Sequence, residues 1–239
     1  MEPIFKHQVT VTEMQVDRFG RVKPSALLYY IQEAAGQHCN LLAVDHDTLS
    51  GKHLFWAVSR NRVQITRLPR LGEQVFIETW PMPTTRVAYP RSVVAYDADG
   101  RELFRSISLW VLMDARTRTM ILPDKSGVIV DGTLTGTELT VPRAIATRPM
   151  AGSKTCTVGY SLLDRNGHMN NTRYMDWVDD LLTSDFHRDH PAQEFTLCYM
   201  NEAREGDAVA LGYELTDGPV LTVDATREGE RIFSAQILY

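Results

Sequence analysis

Asp164-Arg165-Asn166-Gly167-His168-Met169-Asn170-Asn171-Thr172-Arg173-Tyr174 is the stretch on which the fold turns, because its opening occurs twice in the chain. Asp17-Arg18-Phe19-Gly20 shares three of four residues with Asp164-Arg165-Asn166-Gly167, and a helical pattern follows each. Over residues 24–42, Leu27, Leu28, Ile31, Ala34, Ala35, Cys39 and Leu42 recur at three- and four-residue steps. Pro24 suits the first turn of that helix, where its missing N–H has no intrahelical partner to lose. The polar Gln32, Glu33 and Gln37 occupy the remaining arc. After the second turn, Tyr174, Trp177, Val178, Leu181, Leu182 and Phe186 form an apolar face, which predicts a second helix.

Outward from the helices the echo continues. Residues 4–16 read as a strand, and stretches rich in β-branched and aromatic residues follow at 55–67, 74–80, 86–96 and 102–113, with a short strand at 119–122. Asp97-Ala98-Asp99-Gly100 makes a hairpin turn between two of them. In the second half the strands return in the same order at 195–203, 207–216, 220–227 and 231–238. Even a loop repeats, since Arg70-Leu71-Gly72-Glu73 matches Arg204-Glu205-Gly206-Asp207. Turn, helix, strand and loop repeating in register mark a tandem duplication. Residues 1–122 form the first unit and 153–239 the second. Residues 123–152, interrupted by Pro and Gly and rich in Thr and Asp, are the connector. One helix followed by antiparallel strands in each unit is an α+β arrangement.

Bulk composition narrows the function classes. Hydrophobic residues at 44% and charged residues at 23% describe a globular chain rather than a disordered one. A net charge of −5 argues against a nucleic-acid binder, which needs a concentrated basic face. The apolar runs are far shorter than a bilayer requires, so no membrane span is expected. The first residues, Met1 to Lys6, lack a basic region followed by an apolar run, so no signal peptide is expected either. Cys39, Cys156 and Cys198 are odd in number and scattered, which fits a reducing cytoplasm and offers no metal-binding spacing.

Duplication supplies an internal control. Positions alike in both copies serve the fold, whereas polar residues found in one copy only are candidates for chemistry. Phe19 lies opposite Asn166, Arg21 opposite His168, Lys23 opposite Asn170 and Leu68 opposite Glu202. Asp17 and Asp164 match, so that aspartate has a structural reading in both. Asp164, Asn166 and His168 stand at alternate positions leading into the expected helix, whose free N–H groups would stabilise an oxyanion. His168 has the chemistry to donate to that oxyanion or carry a proton, and Glu202 to activate water.

With these residues in view, the chain resembles a known family, the acyl-acyl carrier protein thioesterases of bacteria and plant plastids. The residues 164–174 look like its D-x-N-x-H-x-N-N-x-x-Y signature. Trp56-Ala57-Val58-Ser59-Arg60, Pro69-Arg70-Leu71-Gly72-Glu73, Glu78-Thr79-Trp80-Pro81 and Leu197-Cys198-Tyr199-Met200-Asn201-Glu202-Ala203 carry the likeness further. The resemblance implies a double hot-dog fold, two antiparallel sheets each wrapped on a long central helix. It assigns catalysis to Asp164, Asn166, His168 and Glu202, with the division of labour between Asp164 and Glu202 left open. It also implies that the first unit holds the acyl chain, with Trp56, Val58 and Trp80 lining the tunnel. Plant members carry a cysteine after the glutamate, where this chain has Ala203, which favours direct attack by water.

On this reading the substrate partner is acylated acyl carrier protein. No cofactor is expected, and a homodimer is left open. Arg165 and Arg173 flank the signature. Arg18 matches Arg165, but Ala26 stands opposite Arg173, which makes Arg173 the better docking residue for an acidic partner. The competing classes are an acyl-coenzyme A thioesterase, a hot-dog dehydratase and a non-catalytic acyl sensor. The Asn-rich signature does not look like a dehydratase site, and no segment is spare for a sensor's output module.

Overall fold

The computed structural model describes residues 3–239; Met1 and Glu2, the start of the segment read as lacking a signal peptide, lie outside it. In the first half, β1 (Phe5–Thr10) leads through a short 3-10 turn to α1 (Pro24–Leu41) and α2 (His46–Ser50). Strands β2 (Leu54–Ile65), β3 (Gln74–Pro81), β4 (Tyr89–Tyr96), β5 (Glu102–Asp114) and β6 (Met120–Ile121) follow, then α3 (Pro123–Ser126). In the second half, β7 (Gly152–Thr157) precedes α4 (Arg173–Asp179) and α5 (Ser184–Asp189). The chain ends in β8 (Glu194–Tyr199), β9 (Ala208–Leu215), β10 (Val220–Arg227) and β11 (Glu230–Leu238).

The duplication is visible in the pairing. The sheet order is β1-β3-β4-β5-β2-β8-β11-β10-β9-β7, so each half repeats the other's order outward from the centre, and only β6 stands outside the repeat. At the centre β2 pairs with β8 antiparallel, with Arg62 opposite Thr196. The loop match of Arg70 with Arg204 makes Arg62 and Thr196 counterparts too, so each copy meets its own image at the seam. This is the self-complementary contact expected of two-fold symmetry. Arg62 Nε reinforces the seam with an ion pair to Glu194 at 2.8 Å. Pairing these two edges removes the exposed backbone donors and acceptors that each half would otherwise present. The hot-dog architecture is therefore present, but its two sheets are fused into a single antiparallel sheet rather than standing apart.

α1 is the long helix that the spacing predicts. Leu27, Tyr30, Ile31, Ala34 and His38 on one face are buried against the sheet. The second long helix is a correction: α4 has seven residues and α5 six, with a turn between them. The break has a local cause. Thr183 Oγ1 accepts the N–H of Phe186 and so caps a new helix start. The apolar face is still used, since Tyr174, Met175, Trp177 and Val178 are buried in the same core as Leu27 and Ile31.

Residues 127–151 contain no helix or strand and lie along the sheet. Side chains of the sheet reach them: Arg62 Nη1 donates to Thr140 Oγ1 at 2.9 Å, Arg105 Nη1 to Thr137 O at 2.7 Å and Arg231 Nη1 to Ile145 O at 2.9 Å. No helix among the described residues is long and apolar enough to cross a membrane.

Candidate active site

The signature begins as a turn present in both halves. Asp17 Oδ1 accepts the N–H groups of Phe19 at 2.8 Å and Arg21 at 3.0 Å. Asp164 Oδ1 does the same for Asn166 at 2.8 Å and His168 at 3.2 Å. Gly20 and Gly167 close the two turns at positive φ, 71° and 78°, where a side chain would be strained. Isolated bridges join Arg21 to Arg70 and His168 to Arg204, so the internal alignment of the sequence holds in space. Asp164 is thus engaged by its own turn.

This geometry corrects the expectation of an oxyanion site at a helix start. α4 begins at Arg173, five positions beyond His168, and the N–H groups of Asn166 and His168 are already bound by Asp164. Those two N–H groups are therefore not free to bind an oxyanion. Asn166 Nδ2 lies 3.4 Å from Asp164 Oδ2, which orients the amide and leaves its other hydrogen free.

Glu202 comes from the loop after β8, since that strand ends at Tyr199 rather than at 203. Its carbonyl is held by Arg227 Nη1 at 3.0 Å, and its Oε2 lies 3.1 Å from His168 Nε2. Burial pushes the His168 imidazolium below its ordinary range; Glu202 opposes the shift and Arg118 adds to it. The neutral ring is the form held at pH 7.

Arg118 is the residue that the sequence reading missed. It sits in the β5–β6 turn of the first half at φ 58°, an unusual backbone for a residue with a side chain. Its Nη2 contacts Glu202 Oε2 and lies 2.7 Å from His168 Nε2. The guanidinium also stacks over Phe55, with Cζ 4.8 Å from the ring centroid, a favourable cation–π distance. Its Nε is buried with no partner among the described residues. In the sequence it was only one of several arginines in a turn, and nothing local distinguishes it.

Asp164, Asn166, His168 and Glu202 line a cavity of about 180 Å³, with Trp56 and Val58 on the wall. A larger cavity of about 560 Å³ shares Gln32, Trp56, Trp110 and Asn166 with it and runs along α1. Gln32, read as part of the polar arc, instead lines both, and its Oε1 is buried without a hydrogen-bond partner among the described residues. Trp80 lines neither cavity, which corrects its assignment. Ile77 and Thr79 of β3 face α1, so the alternation of a strand turns Trp80 to the other side, where its Nε1 donates to Glu138 at 3.2 Å. Arg173 also lines neither and pairs with Asp176 at 3.3 Å, whereas Arg165 borders the larger cavity and pairs with Asp47 of α2 at 3.2 Å. The three cysteines are free thiols, and of these only Cys39 borders a cavity, the larger one. No cluster of His, Cys, Asp or Glu suited to a metal ion occurs among the described residues.

Comparison with known proteins gives this arrangement a family. The profile described as "Acyl-ACP thioesterase N-terminal domain" matches residues 2–124, and "Acyl-ACP thioesterase C-terminal domain" matches 148–237. The chain belongs to the acyl-ACP thioesterase family. It is 24% identical over 227 residues to "Oleoyl-acyl carrier protein thioesterase 1, chloroplastic" of Arabidopsis thaliana, covering 86% of this chain and 62% of that one. It is 26% identical over 225 residues to "Oleoyl-acyl carrier protein thioesterase, chloroplastic" of Coriandrum sativum, covering 85% and 60%. The chain spans between about half and three fifths of the length of these curated relatives. Among solved structures, an acyl-ACP thioesterase from Bacteroides thetaiotaomicron superposes with a TM-score of 0.84 at 22% identity, covering 99% of this chain and 97% of that one. The 12:0-ACP thioesterase of Umbellularia californica superposes with a TM-score of 0.85 at 22% identity, covering 100% and 97%. Both likenesses establish the fold.

Proposed function

We propose that this protein hydrolyses the thioester of fatty acyl-acyl carrier protein and releases the free fatty acid. The observation that carries the reading is the Glu202–His168–Arg118 cluster, whose Glu202 and His168 line the small cavity that shares Gln32, Asp164, Asn166 and Asn170 with the larger one beside α1. Family membership supports the substrate class.

In the proposed reaction Glu202 takes a proton from water, whose oxygen attacks the thioester carbonyl. The carbonyl becomes an oxyanion, and the amides of Asn166 and Gln32, which line both cavities, are side-chain donors for it; one such donor is typically worth ~3 kcal/mol. When the tetrahedral centre collapses, the C–S bond breaks and the thiolate takes its proton through the neutral His168, which Glu202 resupplies. Asp164 positions Asn166 and His168 and performs no proton transfer, which leaves Glu202 as the base. No cysteine borders the small cavity and Ala203 follows Glu202, so the water attacks without an acyl-enzyme.

The test is incubation with a panel of acyl carrier protein and coenzyme A thioesters, with released acids identified and the protein watched by mass spectrometry. Free acid from acyl carrier protein substrates, without acylated protein, is expected. Preference for coenzyme A thioesters, or a trapped acyl-enzyme, would overturn the reading.

A further inference from the structure

Arg91 of β4 is only 5% exposed, yet it borders the larger cavity. Its Nη1 spends both hydrogens on neutral partners, His38 Nδ1 at 3.1 Å and Thr79 Oγ1 at 3.1 Å. The nearest partner of Nη2 is the thiol sulfur of Cys39 at 3.9 Å, a weak acceptor. Among the described residues no carboxylate pairs with this guanidinium. A guanidinium carries five N–H groups, and among the described residues the Nε edge has no oxygen acceptor. Burying an uncompensated charge is costly, and elsewhere in this chain buried or half-buried arginines such as Arg62 and Arg231 have their carboxylates.

We propose that Arg91 forms a subsite on the buried wall of the larger cavity for an oxygen atom carried by the acyl chain away from its thioester. This rests on the reading of that cavity as the acyl site. A carboxylate fits best, because it accepts two parallel N–H bonds and supplies the missing charge; a hydroxyl or oxo group fits more weakly. The same cavity is lined by the apolar side chains Ala35, Val44, Trp56, Tyr89, Trp110 and Val130, which suit an alkyl chain, alongside polar and charged ones that include Glu33, Asp45 and Arg165. The subsite is remote from the chemistry. Gln32 lines both cavities, and Cys39 beside Arg91 lies seven residues along α1, about 10 Å at 1.5 Å per residue. An alkyl chain that reaches this depth strips water from the guanidinium and returns nothing. A chain ending in oxygen at the same depth restores the lost bonds.

The experiment compares pairs of acyl thioesters of equal length, one ending in methyl and one in carboxylate or hydroxyl, across a series of lengths. In the wild type, short pairs are expected to differ little. Beyond the length that reaches Arg91, the oxygen-terminated partner is expected to gain at least tenfold in kcat/KM, with carboxylate ahead of hydroxyl. Arg91→Met should erase the gain, and Arg91→Lys should keep part of it. Methyl-terminated chains winning at every length in the wild type would overturn the subsite, whether or not the variants fold. A binding arm separates this from failure of the thioesterase reading: calorimetry of the half methyl ester of a long dicarboxylic acid against the methyl ester of the matched monocarboxylic acid. Tighter binding of the half ester by wild type, lost in Arg91→Met, supports the subsite even if no thioester is hydrolysed. Equal affinity would sink it.

Discussion

At the scale of single residues the two copies divide their labour at matched positions. His168 faces Glu202, whereas its counterpart Arg21 bonds Asp17 at 3.0 Å and the carbonyl of His187 at 2.6 Å. His168→Ala should therefore lower kcat by ~10² to 10⁴, the usual loss when a general acid or base is removed. Arg21→Ala should leave kcat nearly intact and lower Tm, because charged hydrogen bonds are worth roughly 1.5–3 kcal/mol. Steady-state kinetics with thermal unfolding of both variants decides; equal kinetic losses would defeat the single-site reading. Arg118 makes a separate prediction. It holds the His168 pKa down, so Arg118→Met lets the ring protonate at higher pH. In the proposed reaction the neutral ring is the working form, so the acid limb of the kcat/KM profile should move up. An unmoved limb with a uniformly lower rate would make Arg118 purely structural.

At the scale of elements, α1 carries a titration that couples helix to sheet. His38 is buried, stacked on Phe5 of β1 at 5.5 Å and hydrogen-bonded to Arg91 of β4, and its pKa is lowered to about 4, first by burial and then by Arg91. In the unfolded chain the same group titrates near ~6.5. Between those values the unfolded state binds the proton and the folded state refuses it. Stability is therefore full above the unfolded pKa, falls as pH drops toward 4, and falls no further from this group below that. Tm measured from pH 7 to 4 should show this slope, and His38→Gln should flatten it. An unchanged slope would assign the acid sensitivity to the carboxylates instead. The broken helix of the second half belongs at this scale too. α4 and α5 replace one long helix because Thr183 caps a new start, which leaves the second half without a helix as long as α1.

At the scale of the whole molecule, the β2–β8 seam brings Arg118 of one half onto Glu202 of the other. It also sets the docking question. Arg165 borders the larger cavity, whereas Arg173 borders neither, so of the two basic residues flanking the signature Arg165 stands nearer the proposed acyl site. Arg165→Glu and Arg173→Glu should both weaken turnover of acyl carrier protein substrates and spare small acyl thioesters, with the larger effect at Arg165. Rim charges act mainly on association and are screened by salt, so the wild-type advantage should shrink as ionic strength rises. The measurement is kcat/KM for both substrate types at low and high salt. Equal loss on small thioesters would place either residue in support of the site instead of the partner.

What the sequence determined by itself was what repeats and what breaks the repeat. The Asp-Arg-x-Gly turns, the Arg-x-Gly-acid loops and the strand spacing were legible because each is a local pattern written twice. Asn166, His168 and Glu202 stood out because their counterparts Phe19, Arg21 and Leu68 cannot do the same chemistry. Tertiary structure alone decided the rest, since those facts depend on which chain segments meet. Arg118 lies 84 residues from Glu202, and no spacing rule joins them. The side to which Trp80 turns depends on which face of β3 meets α1, and the same packing leaves Gln32 lining both cavities. Arg91 looks in sequence like any strand arginine. Only the packing of α1 over β4 buries it and opens a cavity beside it, with no carboxylate partner among the described residues.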